Sequence, residues 1–365
     1  MIENIKILNK ELKVQFSDKV EDNYPFIWLR DNAKDEQNWD SRSNQRKTFT
    51  ASLSSNLKIK EASILDNGKF LNILWSDLSS EVTYSYDFLK KNTLTHKIDS
   101  SKFRLWKNNI NKEKIFINYE DAISNNGFKI FLKNLYDYGF CVINNCKTDI
   151  SAVESIAKKI GYVRQSIFGG LWSFESNENM ADSAYTQEEL RPHTDATYSN
   201  DAPGLQLLLC CQYKARGGES IMVDGFKIAD FMRKEHNDLF KILSTIEVPG
   251  NYIGDGVCLE SKRPIFKLNL NKEIVQISFN NYDRGTFRLK NDLMIKFYEA
   301  IKKFDMMANS EKFQWRYILK PGELLIFNNW RILHGRGSFK GKRKMAGCYI
   351  NMEDFRSVCK IHGIQ

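Results

Sequence analysis

From residue 185 to the end of the chain, short apolar runs recur with turn residues between them. This pattern confines the fold more than any other feature. The run GLQLLLCCQY at 204–213 is apolar almost throughout, as in a strand covered on both faces. ESIMVDG (219–225), FKLNL (266–270), IVQISFNN (274–281), FQWRYILK (313–320), ELLIFNN (323–329) and MAGCYIN (345–351) read as further strands. Helical spacing enters as insertions, at 226–244 and in the amphipathic run 293–308. Strands that dominate and helices that interrupt suit a β-sandwich or jelly roll with helices on one face.

Upstream, residues 1 to about 110 read as a separate β-rich domain. VQF, FIWLR, KTFTASL, LKIKEASIL, FLNILWSD and VTYSY are short extended runs, with Phe26, Trp28 and Trp75 as its core. The polar, basic stretch 96–114 reads as a linker, so the boundary falls near 110 and the second domain runs 111–365. There, 119–139 has helical spacing and stops at Gly139, and GFCVINNC follows as a buried strand. Ser151 is expected to cap the next helix, with Glu154 completing a capping box.

The net charge is +9, which admits an anionic partner, but the basic residues are scattered. The densest cluster, KGKRK at 340–344, is short. No apolar run approaches the ~18 residues of a membrane span, and the first residues alternate charge and apolarity without a signal-peptide core. The expectation is a protein of the cytoplasm with neither nucleic acid nor membrane as partner. The seven cysteines include no C-x-x-C, which fits a reducing compartment.

Candidate chemistry centres on His193-Thr194-Asp195. On an extended segment, residues i and i+2 share a face, so the imidazole and carboxylate converge. With a second histidine they would form the facial triad that suits non-haem Fe(II), although an H-x-D triplet also arises by chance. The chain has five histidines. His96, His236 and His362 lie in polar or terminal segments and read as idle. His334 ends an apolar strand at a Gly-bounded turn, where it is either a third ligand or an ordinary strand-end residue. Arg343, nine residues on, either sits on the surface with Lys342 and Lys344 or points inward toward a carboxylate partner. Phe168, Trp172, Tyr185, Tyr198 and Tyr349 flank these positions, as core or as a box that would hold a quaternary ammonium by cation–π attraction.

These residues fall within motifs that resemble the γ-butyrobetaine hydroxylase and trimethyllysine dioxygenase family of Fe(II)/2-oxoglutarate oxygenases. The motifs are FIWLRDN at 26–32, ILWSD at 73–77, AYT and HTD ending at 195, PGLQLLLC at 203–210, GGESIMVDGF at 217–226, and NNWRILHGRGSF at 328–339 with Arg343 and GCY at 347–349. VRQSIFGGLWSF (163–174), DSAYT (182–186) and ISFNNYDR (277–284) lean toward the trimethyllysine branch.

The resemblance implies a double-stranded β-helix (jelly-roll) core behind a small β-rich N-terminal domain. It implies that His193, Asp195 and His334 bind Fe(II), and that Arg343 holds the distal carboxylate of 2-oxoglutarate with Leu208 lining that pocket. Phe168, Trp172, Tyr185 and Tyr349 fall where a trimethylammonium cage is built, and Asn280 where a substrate carboxylate is held. Asp182 stands where butyrobetaine enzymes carry Asn. A carboxylate there would pair with an α-ammonium and repel a carboxylate, which favours trimethyllysine. The expected reaction is C3 hydroxylation of N6,N6,N6-trimethyl-lysine toward carnitine, with O2 as cosubstrate and ascorbate as reductant. The alternatives are γ-butyrobetaine, another trimethylammonium compound such as a phosphonate, and a metal-free betaine-binding protein. The family's structural zinc ligands have no counterpart at 33–38 or after Asp77, so no zinc is expected, and a homodimer is left open.

Overall fold

The computed structural model describes residues 1–94, 103–175, 187–254 and 256–364. The chain divides into two compact units, 1–100 and 101–365. The division falls earlier than the boundary expected near 110, for a physical reason. Phe103 packs against Tyr136 and Phe226, and buried Trp106 donates through its indole N–H to the Tyr138 carbonyl. This part of the expected linker belongs to the second unit.

The first unit contains two three-stranded antiparallel sheets, Ile2–Ile7/Glu11–Phe16/Glu21–Pro25 and Ile59–Leu65/Phe70–Trp75/Glu81–Ser85. Leu12, Val14 and Phe16 alternate with half-buried neighbours and line one core face. Trp75 is fully buried, and its N–H donates to Tyr84, whose hydroxyl donates to the Leu29 carbonyl. Two runs expected as strands are not. Phe26–Asp31 is a helix that starts directly after Pro25, and its Phe26 and Leu29 face the core. Thr50–Ser52 is a single 3₁₀ turn. Between residues 34 and 48, Asn38 is bonded to Asp35 and Thr48, and Lys34 and Arg46 lie over Trp39.

The second unit is built on two sheets. The larger has the order Trp172–Glu175, Phe339–Ile350, Leu205–Gly217, Leu324–Asn328, Phe140–Asn144, Phe116–Asn118, with only the last pair parallel. The smaller has the order Leu190–His193, Ile332–Arg336, Ser220–Asp224, Gln314–Tyr317, all antiparallel. Alternation assigns the faces. Leu205, Leu207, Leu209, Ala346, Cys348 and Ile350 pack outward beneath the helices Asn125–Tyr138, Ile150–Ile160 and Met352–Ile361. Cys210, Leu325, Phe327 and Met345 face inward with Met222 and Ile332 of the smaller sheet. Outside that sheet, Val223 and Leu333 meet Gly225–Glu235, Asn237–Thr245 and Asn291–Ala308. This is the jelly roll with flanking helices.

Three helix expectations change in detail. The 119–139 segment is two helices, because the Ser124 hydroxyl caps the second one. Gly139 ends that helix with φ of 81°, as expected of a left-handed cap. The 226–244 segment breaks at His236. The cap before the 150–160 helix is Asp149, which accepts from the Ser151 N–H, and no Ser151 capping box forms. Among the described residues no helix is long and apolar enough to cross a membrane.

Candidate active site

His193 is the last residue of its strand and pairs directly with His334 across the smaller sheet. Their ring centroids lie 4.4 Å apart. The strand ends there, because Asp195 precedes Ala196, whose φ is +55°, a left-handed conformation uncommon for a residue with a side chain. Asp195 nevertheless reaches both imidazoles. Its Oδ1 lies 3.4 Å from His193 Nε2 and 3.5 Å from His334 Nε2. The three residues form a group able to hold one metal ion, with ligand atoms within 4.8 Å of one another.

The chemistry of this donor set fits a metal. His193 Nδ1 lies 2.8 Å from the Arg191 carbonyl. A proton on that nitrogen donates to the carbonyl and leaves the Nε2 lone pair facing Asp195. Asp195 Oδ2 accepts from the Tyr349 hydroxyl at 2.8 Å, which leaves Oδ1 for the imidazoles. Burial opposes charge on all three groups, and they resolve this unequally. Burial outweighs the pull of Asp195 on His334 and brings its imidazole down to about 3. For His193, burial is overcome by the bond and charge of Asp195, and the net shift is upward. Burial alone would raise Asp195, but the two imidazoles and Tyr349 hold it well below the carboxylate range. A metal ion would replace the proton shared within this group.

Arg343 lies on Phe339–Ile350, and residues 343, 345, 347 and 349 of that strand face inward. Its guanidinium is buried and lies 5.1 Å from the Phe339 ring centroid. Its other contact is a weak one, Nη2 to Met345 Sδ at 3.8 Å. Nε has no hydrogen-bond partner, and no carboxylate pairs with the group among the described residues. Burial pushes this guanidinium down. A buried cation without an anion is costly, so the pocket is suited to an incoming carboxylate. Leu208 is half-buried beside Gly347 and Leu325 in the same sheet. Arg336 also lies over Phe339, at 4.9 Å, and burial together with Arg343 brings it down to about 10.

Trp172 is paired with Gly347, and a Cβ at Gly347 would collide with the indole. Tyr349 lies beside it, with ring centroids 5.9 Å apart. The aromatic pair therefore stands next to Asp195. Phe168 is not brought into this pair. It is exposed, at the turn closed by Ser166 and Gly169, and makes no ring contact with Trp172 or Tyr349 among the described residues. The Asn280 amide is already engaged by Asp283 (2.8 Å) and by the Tyr282 N–H (2.9 Å). Asp182 and Tyr185 lie outside the described residues, as does His96. Of the other histidines read as idle, His236 lies at a break between helices and His362 packs edge-on against Phe128.

Several residues at the site carried no signal of their own. Tyr282 packs edge-on to His193 and accepts from the Arg191 N–H. Asn329 bonds the backbone of Asp195. Arg331 and Asp224, both fully buried, form a two-bond ion pair (3.1 and 2.8 Å) behind the strand of His334. Arg263 and Arg164 donate to carbonyls of the loop after Asp195. An arginine or asparagine inside an otherwise apolar strand–turn motif is the one hint that was available.

A His-Asp-His group inside a jelly roll, with a buried arginine nearby that no carboxylate pairs among the described residues, defines an Fe(II)- and 2-oxoglutarate-dependent dioxygenase. The comparisons agree. Residues 102–349 match the model of the taurine catabolism dioxygenase TauD, TfdA family, and residues 4–90 match "Gamma-butyrobetaine hydroxylase-like, N-terminal". The chain belongs to the TauD, TfdA dioxygenase family. A trimethyllysine dioxygenase of Meyerozyma guilliermondii is 39% identical over 228 residues, which span 61% of this chain and 57% of that protein. The mitochondrial trimethyllysine dioxygenase of Homo sapiens is 30% identical over 94% of this chain and 83% of its own. The human gamma-butyrobetaine dioxygenase is 27% identical over 96% and 94%. The solved structure of AAD-2 with Mn(II) and N-oxalylglycine shares the fold, with a TM-score of 0.52 and 10% identity over 65% of this chain and 95% of that one.

Proposed function

We propose that the protein hydroxylates N6,N6,N6-trimethyl-lysine at C3, using Fe(II), 2-oxoglutarate and O2, as a step of carnitine synthesis. The observation that carries this reading is the placement of Trp172 and Tyr349 directly beside the three convergent ligand atoms. The relatives named trimethyllysine dioxygenase add support. His193, Asp195 and His334 would hold Fe(II). Arg343, with Leu208, would hold the distal carboxylate of 2-oxoglutarate. When bound, the metal and cosubstrate supply the oxidising chemistry, in which 2-oxoglutarate and O2 give succinate and CO2 and one oxygen atom enters a substrate C–H bond.

This chain's residues bind, orient and exclude water. The faces of Trp172 and Tyr349 attract a trimethylammonium group, at about 0.5 to 2 kcal/mol per ring, and so select which carbon faces the metal. Phe168 and Tyr185 would complete that cage, Asp182 would pair with the α-ammonium, and Asn280 would hold the substrate carboxylate. The inward rows of Phe327, Met345 and Leu208 keep the site apolar, which limits turnover of 2-oxoglutarate without substrate. The reading of a reducing compartment, the cytoplasm, rests on seven cysteines that are all free thiols.

The test is succinate release from 2-oxoglutarate with Fe(II) and ascorbate, comparing trimethyl-lysine, γ-butyrobetaine and no substrate. Stimulation by trimethyl-lysine is the expected result. Stimulation by γ-butyrobetaine alone would retain the metal site and refute the substrate.

A further inference from the structure

We infer that Asn329 is a positioning residue that holds Asp195 in the conformation able to ligate the metal. The inference rests on the reading that His193, Asp195 and His334 form the metal site. The ladder between the strands of His193 and His334, which carries a register shift between Leu190 and His193, stops at His193. Asp195 therefore lacks a strand partner, and Ala196 turns the chain away at φ +55°. The buried carboxamide of Asn329 fills that place. Its Oδ1 accepts the Asp195 N–H at 2.8 Å, and its Nδ2 donates to the Asp195 carbonyl at 3.2 Å and the Pro203 carbonyl at 3.0 Å. A carboxamide carries the same donor and acceptor as a peptide unit, so Asn329 bonds Asp195 as an antiparallel neighbour would.

The bonds around Asp195 divide its freedom between partners. Thr194, one residue before, is tied to Phe279 through its N–H (2.7 Å) and its hydroxyl, which accepts the Phe279 N–H (2.9 Å). Tyr349 takes the carboxylate oxygen that faces away from the imidazoles. Among the described residues, Asn329 alone holds the main chain of Asp195 on both its N–H and C=O sides. It also lies five residues before His334 in the same turn and strand. One segment thus supplies one ligand and sets the backbone of another.

The experiment compares wild type with Asn329→Asp and Asn329→Ser. Asp keeps the size and the acceptor but loses the donor. Ser removes the amide without adding charge. Each metal-stripped protein is checked by circular dichroism for folding at the working temperature and then titrated with Co(II), following its visible absorption. Loss of a group that orients a ligand weakens metal binding about 10- to 100-fold, so both variants should bind Co(II) at least about tenfold more weakly, with an altered absorption band. If one variant does not fold, the other decides. A folded variant that melts earlier yet binds Co(II) within twofold of wild type would show a merely structural role and overturn the inference. Failure of wild type itself to bind Co(II) would overturn the metal assignment, and the inference with it.

Discussion

Replacing Arg343 by Met should stabilise the empty protein while disabling it. Arg343 is 7% exposed, its Nε has no partner, and no carboxylate forms an ion pair with it among the described residues. An unpaired buried charge costs several kcal/mol. The Phe339 ring returns about 0.5 to 2 kcal/mol of this, and the Met345 sulfur adds little. Methionine fills similar space without the charge, so a net gain of about 1 to 3 kcal/mol is expected. At roughly 2–4 °C per kcal/mol for a unit of this size, the melting temperature of metal-free, cosubstrate-free protein should rise by about 2 to 12 °C. Affinity for 2-oxoglutarate should move the other way. Two charge-assisted hydrogen bonds at about 1.5–3 kcal/mol each correspond to a loss of at least about 100-fold. Differential scanning calorimetry reads the first effect, and titration calorimetry of 2-oxoglutarate with Mn(II) present reads the second. A lower melting temperature together with unchanged 2-oxoglutarate affinity would refute the reasoning.

Other perturbations separate the remaining parts of the account. His193→Ala should abolish substrate-dependent succinate release while leaving the circular dichroism spectrum intact; retained turnover would remove His193 from the metal site. Tyr349→Phe keeps the ring and loses the bond to Asp195 Oδ2, so Co(II) affinity should fall about tenfold while substrate affinity changes little; a substrate-only effect would confine Tyr349 to the cage. Gly347→Ala places a methyl against the Trp172 indole and the Leu207 carbonyl, so KM for trimethyl-lysine should rise several-fold with 2-oxoglutarate affinity nearly kept. Arg331→Met leaves Asp224 buried and unpaired, at a cost of about 3–5 kcal/mol; a urea midpoint equal to wild type would contradict this.

The jelly roll was legible because its strands announce themselves. The 205–210 run and the 324–327 and 345–350 segments are apolar on both faces, as strands between helices and an inner core must be. Short elements were harder to read. Phe26–Asp31 has the aromatic composition of a strand, but Pro25 and the core contacts of Phe26 and Leu29 make it a helix. Phe103 and Trp106 looked like parts of a linker because two aromatics among polar residues show no periodicity. At the site, the residues with distinctive chemistry were readable: the H-x-D triplet, a histidine at a strand end, an arginine on the returning strand. Their supports were not. Asn329, Tyr282 and the Arg331–Asp224 pair act through contacts with residues far away in sequence, and a polar residue inside an apolar strand–turn motif does not say which distant backbone or side chain it bonds. Phe168 shows the reverse case: its place in a motif marks it as a cage residue, while its ring is exposed and apart from the Trp172–Tyr349 pair, so its part in the cage rests on the sequence alone.

The central claim is that this site directs oxidation to one carbon of trimethyl-lysine. The most direct measurement incubates the Fe(II)-loaded protein with 2-oxoglutarate, O2 and trimethyl-lysine and identifies the product by mass spectrometry and NMR. The expected product is trimethyl-lysine with one added oxygen at C3, formed in step with succinate. Succinate formed without oxidised trimethyl-lysine, or oxygen added only to γ-butyrobetaine, would contradict it.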